Sequence, residues 1–393
     1  MSERFLSPRV AAVPPSGIRR FFDIAGTMKD AISLGVGEPD FVTPYHIRNA
    51  AMDSLLDGET QYTPNRGLLS LRMEIAGYLS GRYSVSYDPE TEIVVTVGAS
   101  EAIDLALRAT IEPGDQVLIP DPCYVSYAPC VTFAGGVPVP LMTDAKDGFR
   151  LVPDLLEKAI TPKTKALIFP YPNNPTGAVM RREHLEAIVP VIVKHDLLII
   201  SDEIYSELTY EGDSHISIAS LPGMKDRTVL INGFSKSFAM TGWRLGYACA
   251  DQPLIGQMNK IHQYTIMCAP RQSQVAAEEA LRSGRENGYR DIAIMRDSYD
   301  QRRRLMVDAF QQMGLPCHIP EGAFYCFPSI RETGLTSEDF CTQLLKTEKV
   351  VCVPGPAFGP SGEGHIRCCY ATGLKQLNEA FSRIEHFIRH LGD

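Results

Sequence analysis

The sequence predicts an α/β fold: a large domain with a mostly parallel sheet flanked by helices, and a smaller α+β domain beside it. Two observations carry this. Between about residues 90 and 250, short β-branched runs alternate with helical stretches, and each run ends in a polar, Gly-rich or Pro-rich segment. After about residue 290 the pattern changes to a long charged helical stretch, short strands and a last helix.

Taken in order, the first fifteen residues, with Pro8, Pro14 and Pro15, read as an N-terminal arm (1–15). Residues 16–44 read as the N-terminal part of the small domain, because ISLGVGEPDF (32–41) carries strand and turn signals ahead of a first long helix near 44–57. The large domain follows as 45–290. Its strands are IVVTV (93–97), QVLIP (116–120), ALIFP (166–170), LLIIS (197–201) and TVLIN (228–232). Strands separated by helices imply crossovers and a sheet buried on both faces. The segments after them are GASEA, DPCYVSY, YPNNPTG, DEIY and GFSKS. Ligands of open α/β sheets bind outside the carboxyl ends of the strands, so these five loops converge on one candidate site. The C-terminal part of the small domain is 291–393, with MRDSYDQRRRLMVDAFQQMG as a helix and AFYCFPS (323–329) and HIRCCYA (365–371) as strands. Within that helix the run QRRRL (301–305) reads as a solvated face.

Composition narrows the function classes. The 393 residues are 44% hydrophobic and 22% charged, with a formal charge of −9, so no broad basic face for nucleic acid or anionic membrane is expected. No stretch of 18 apolar residues occurs and the N-terminus lacks a signal-peptide core, which predicts a cytoplasmic protein with small-molecule partners, no membrane and no nucleic acid. The ten cysteines form no CxxC pair or zinc-type spacing and read as reduced thiols, Cys123 among them as a small buried hydrophobe. None of the nine histidines stands at metal-ligand spacing from a Cys or acidic residue, so no metal is expected.

The chemistry is sought in the loops. Lys236, in GFSKSFAMTGWRLGY (233–247), follows a buried strand, where burial and nearby cations would lower its pKa and make it both nucleophile and base. Ser235 and Arg244 are phosphate-binding types on the same loop. Asp202 emerges at a strand end, where its carboxylate needs a cationic partner or serves as a helix cap. Tyr205, three residues on, and Asn174 are donors in reach of the same place. Gly98, Ala99 and Ser100 precede a helix whose free N–H groups suit a phosphate, although an ordinary N-cap explains Ser100 as well. A reactive carbonyl cofactor such as pyridoxal 5′-phosphate (PLP) requires a Schiff-base lysine, a carboxylate for the ring nitrogen, donors for O3′, a phosphate cradle and an aromatic cover. No Walker motif or GxGxxG follows any strand.

The motifs GVGEPDF (35–41), QYTPNRG (61–67), YPNNPTG (171–177), SDEIY (201–205), FSKSFAMTGWRLGY (234–247) and HIRCCYA occur in this order along almost the whole chain. In them the chain resembles the fold-type I, class I aminotransferases, with its nearest likeness to the bacterial aspartate and N-acetyl-LL-diaminopimelate aminotransferase branch. The resemblance implies a seven-stranded-type sheet, PLP on Lys236, and a homodimer with shared active sites. It further implies that Arg367 binds the substrate α-carboxylate with the backbone at Gly37 and with Asn174, that Tyr124 covers the cofactor ring, and that Tyr62 reaches the neighbouring subunit's phosphate. Trp243 reads as packing beside Arg244.

The expected reaction is ping-pong transfer of an amino group between an L-amino acid and a 2-oxo acid, with glutamate/2-oxoglutarate in one half-reaction. Candidates for the side-chain pocket are His262, Gln263 and Arg271 in KIHQYTIMCAPRQ (260–272). Two alternatives stay open at this point: a PLP-dependent C–S β-lyase of the same fold, and a non-catalytic PLP-binding regulator.

Overall fold

In the computed structural model, residues 3–15, 17, 18, 28, 30–212 and 214–391 are described. Parts of the predicted arm (1, 2) and of the N-terminal small-domain piece (16, 19–27 and 29) lie outside these residues, as do 213, 392 and 393.

A two-residue strand β1 (Ile32–Ser33) comes first, and seven strands then form the main sheet: β2 (Ile93–Thr96), β3 (Gln116–Asp121), β4 (Val137–Met142), β5 (Thr164–Phe169), β6 (Leu198–Asp202), β7 (Thr228–Gly233) and β8 (Gly246–Cys249). Their order is β2-β8-β7-β6-β5-β3-β4, and β8 alone runs against its neighbours. Alternate residues feed opposite cores: Val94, Val229 and Ile231 pack on one face, Val95 and Leu230 on the other. Both faces are covered, which is why these strands read as continuous apolar runs.

Two of the seven strands were not foreseen. Strand β4 contains Pro138 and Pro140, which argue against a strand interior. It is nevertheless possible because β4 is the sheet edge: the N–H groups of Val137 and Thr143 face β3, donating to the carbonyls of Asp115 and Asp121, so the even-numbered prolines turn their missing N–H groups outward. Strand β8 hides in the GWRLGYACA stretch, where Gly246 must lie against the Gly98–Ala99 backbone: a Cβ there would stand 2.6 Å from the Ala99 nitrogen.

The remaining strands are β9 (Tyr325–Cys326), β10 (Val350–Val351), β11 (Val353–Pro354) and β12 (Ile366–Cys369). β11, β12 and β9 form an antiparallel sheet, and β1 pairs in parallel with β10 through Ile32 and Val350. They pack with the long helix Arg290–Gln312 and the last helix Leu374–Arg389 around Phe310, Phe324, Phe340 and Ile384.

The QRRRL run is not a solvated face. Arg304 is exposed, but Arg303 is 1% exposed, with its guanidinium on Asp300, Glu211 and the Pro320 carbonyl and stacked 5.0 Å over Tyr210. Arg302 is buried against Asp40 and the rings of Phe41 and Tyr299. Charge type alone predicted exposure; the Asp40 carboxylate on Arg302 and three acceptors on Arg303 make burial tolerable.

Candidate active site

The carboxyl ends of β2, β3, β5, β6 and β7 and the loops after them surround a cavity of about 870 Å³. Lys236, three residues past β7, reaches into it and donates from Nζ to the Gly37 carbonyl at 2.6 Å. Burial pulls its pKa down from 10.5 to about 8, with Arg367 and Arg244 adding to the effect and Cys369 and Glu38 opposing it. Its Nζ lies 5.5 Å from the ring of Phe324 and 5.8 Å from that of Tyr205.

Asp202 ends β6 and is buried. It accepts from Tyr127 Oη at 2.8 Å and from the Ile204 N–H at 3.2 Å. Burial nevertheless pushes its carboxyl up to about 6, and no described Lys or Arg makes an ion pair with it. It does not cap a helix; the residues after it form turns. Tyr205 faces Tyr325 across a 2.9 Å hydroxyl–hydroxyl contact, and burial holds its phenol well above the ordinary range.

The opposite end of the cavity is the turn from β2 into the helix Ala99–Thr110. Gly98 is the N-cap, with φ +79 and ψ 165, a backbone region essentially restricted to glycine. A Cβ on it would stand 2.7 Å from Arg244 Nη2. Ser100 therefore sits within the first helical turn and is not the cap. Ala99, Ser100, Ser235 and Arg244 all line the cavity. Tyr124, half-buried, lines the cavity beside Tyr127, their rings edge to face at 5.6 Å.

Arg367, on β12, is 3% exposed. Its Nη1 donates to Asn174 Oδ1 at 2.9 Å and its Nη2 to the Gly35 carbonyl, while its Nε is buried with no partner among the described residues. Tyr325 and Phe358 place their rings 4.4 and 4.7 Å from the guanidinium carbon. Gly37 allows this packing, since a Cβ there would lie 2.3 Å from Tyr325 Oη.

The sequence profile described as "Aminotransferase class I and II" matches residues 29–384. The chain belongs to this family. YugH of Bacillus subtilis (strain 168), which bears an aminotransferase's name, is 53% identical over 98% of both chains. The aspartate aminotransferase of Pyrococcus abyssi is 48% identical, again over 98% of each. Among solved structures, the aromatic aminotransferase of Pyrococcus horikoshii OT3 superposes with a TM-score of 0.90 at 47% identity, covering 95% of this chain and 98% of that one. This aminotransferase is accordingly a transaminase of fold type I that uses PLP, and the seven-stranded, mostly parallel sheet is that fold's. No described helix is long and apolar enough to cross a membrane.

The residues present fit PLP on structural grounds. A buried carboxylate with no ion-pair partner among the described residues, a lysine whose pKa is lowered to about 8 and a glycine turn under an arginine surround a single cavity. Lys236, Asp202, Tyr205, Ala99, Ser100, Tyr124, Asn174, Ser235, Arg244, Gly37 and Arg367 share that cavity, with Gly98 beside Arg244. Tyr62 does not: it is 78% exposed and lines a smaller cavity with Arg271, which is paired with Glu59 at 3.2 Å. The residues singled out for the side-chain pocket lie away from this subunit's own cavity. His262 is fully buried against Glu101, and neither it nor Gln263 nor Arg271 lines the main cavity. Three residues of the site went unforeseen: Tyr127, Tyr325 and Phe358. The second tyrosine of DPCYVSY, three residues after Tyr124, was the available signal for Tyr127.

Proposed function

We propose that this aminotransferase works through Lys236 as the cofactor-holding and proton-moving residue. When bound, PLP supplies a ring that withdraws the electron pair left as the amino acid's Cα loses its proton. Lys236, about half deprotonated near pH 8, would take that proton at Nζ and hold it for return to the substrate–cofactor adduct. Asp202 holds a proton on the ring nitrogen, which relieves the cost of its own burial. Tyr205 and Asn174 donate to O3′. The N–H groups of Ala99 and Ser100, with Gly98 giving the close approach, join Ser235 and Arg244 on the phosphate, and Tyr124 covers the ring. Arg367 binds the α-carboxylate bidentately, with Asn174 and the Gly37 backbone beside it.

One observation carries this reading: a lysine lowered to about 8 and an unpaired buried carboxylate lie in the same cavity as two arginines suited to two anions. Sodium borohydride reduction of the PLP-loaded protein followed by peptide mapping tests it. The label belongs on the peptide containing Lys236; a label elsewhere overturns the assignment.

The working unit we propose is a homodimer with shared active sites. The helix Tyr45–Leu56 leaves Met52, Leu55 and Leu56 exposed, and Tyr62, Ile266 and Met267 are exposed as well, a set of apolar side chains that a second copy would cover. Tyr62 would then serve the partner's phosphate. Glutamate/2-oxoglutarate is the proposed couple of one half-reaction. The cytoplasm is the proposed location, in keeping with ten free thiols.

A further inference from the structure

His262 lies on the helix Gln252–Thr265, fully buried, with Nδ1 2.7 Å from Glu101 Oε1. Glu101 stands in the first turn of the helix Ala99–Thr110, and its Oε2 accepts the N–H of Val97, the residue before the N-cap. One carboxylate thus ties the strand side of the Gly98 turn to the helix side. The imidazole decides where that carboxylate points, and its other nitrogen, Nε2, is buried with no partner among the described residues, so Glu101 is its polar anchor.

In a full capping box, the N-cap side chain also satisfies N–H groups of the first turn. Here the N-cap is Gly98, which has no side chain, so the N–H groups of Ala99 and Ser100 remain open to an outside anion. The turn must then be held from behind. A free Glu101 would be a poor way to do so, since its negative charge belongs to the same helical turn as an incoming phosphate. Held on His262 and the Val97 N–H, the carboxylate is tied back to the strand side of the turn, and Glu101 does not line the cavity.

We propose that the Glu101–His262 pair is a positioning device for the phosphate cradle. It holds Gly98–Ser100 in the shape that receives the cofactor phosphate, and His262 acts through Glu101 without touching the cofactor. The proposal rests on the cradle assignment made above.

The test compares two ligands on the apoprotein: PLP, and pyridoxal, which has the same ring and aldehyde but no phosphate. His262→Phe keeps a planar ring and removes the N–H; His262→Asn offers an amide nitrogen near the place of Nδ1. Loss of one charge-assisted hydrogen bond acting on the cradle predicts a Kd for PLP raised roughly tenfold in His262→Phe. The Kd for pyridoxal should stay within about twofold and His262→Asn within about threefold of wild type for PLP, on the same scale of hydrogen-bond energies. The phosphorus-31 resonance of bound PLP should move in His262→Phe and return in His262→Asn. Equal weakening of both ligands would mean a general packing role and overturn the proposal, as would unchanged PLP affinity. Should His262→Phe fail to fold, His262→Leu carries the same expectation. A wild type with no preference for PLP over pyridoxal would sink the cradle assignment itself, and the proposal with it.

Discussion

Replacing Lys236 by methionine should stabilise the apoprotein, although it destroys the residue on which the chemistry depends. Burial lowers the Lys236 pKa from 10.5 to about 8. At about 1.36 kcal/mol per unit, the folded state therefore pays on the order of 3 kcal/mol to keep an ammonium there. Methionine fills a similar volume without charge and loses the hydrogen bond to the Gly37 carbonyl, a contact of about 1 kcal/mol. The net expectation at pH 7 is a variant more stable by about 2 kcal/mol. The pH dependence has a definite sign. Below pH 8 both folded and unfolded chains hold the proton, so the cost is present in full. Between about 8 and 10.5 only the unfolded chain holds it, so the wild type gains stability with rising pH and the variant does not. The advantage of methionine should shrink by about 1 kcal/mol between roughly pH 7 and pH 9. Urea unfolding of both apoproteins at equal protein concentration measures this. A methionine variant less stable than wild type at pH 7, or a difference independent of pH, would refute the argument that the lysine is held in an unfavourable charged state.

Other expectations follow from the same geometry. Gly98→Ala places a Cβ against Arg244 and forces a glycine-only backbone, so it should cost about 1–3 kcal/mol of stability and weaken PLP binding; fluorescence titration of the apoprotein checks both. Asp202→Asn keeps an acceptor for Tyr127 but removes the charge at the ring nitrogen, and kcat should fall by at least about a hundredfold while the cofactor still loads. Arg303→Ala empties a buried site and leaves the Pro320 carbonyl without its donor, while Arg304 still holds Asp300, and it should cost about 2–5 kcal/mol, against less than about 0.5 kcal/mol for the exposed neighbour in Arg304→Ala; denaturant midpoints separate the two.

The sequence made the buried strands legible because a sheet covered on both faces needs uninterrupted apolar runs, and it made the loops after them legible because those loops break the runs with Gly, Pro and Asp. What it hid depended on neighbours far along the chain. The prolines of β4 are tolerated only because β4 ends up at an edge, and Arg302 and Arg303 of QRRRL are buried only because Asp40 and Glu211 come to meet them. Tyr325 and Phe358 look like ordinary core aromatics until folding lays them on Arg367. His262 belonged to a stretch singled out for substrate recognition, but its partner, Glu101, lies 161 positions away, a separation no local pattern encodes.

The most direct test of the central claim is a half-reaction. The PLP-loaded protein is mixed with a panel of L-amino acids in the absence of any 2-oxo acid, and its absorbance is followed through one turnover. Conversion of the lysine-bound cofactor band to that of pyridoxamine phosphate, with one matching oxo acid released per subunit and no conversion in Lys236→Ala, is the predicted result. Continuous release of pyruvate and ammonia with the original band restored, or conversion that persists in Lys236→Ala, would contradict it.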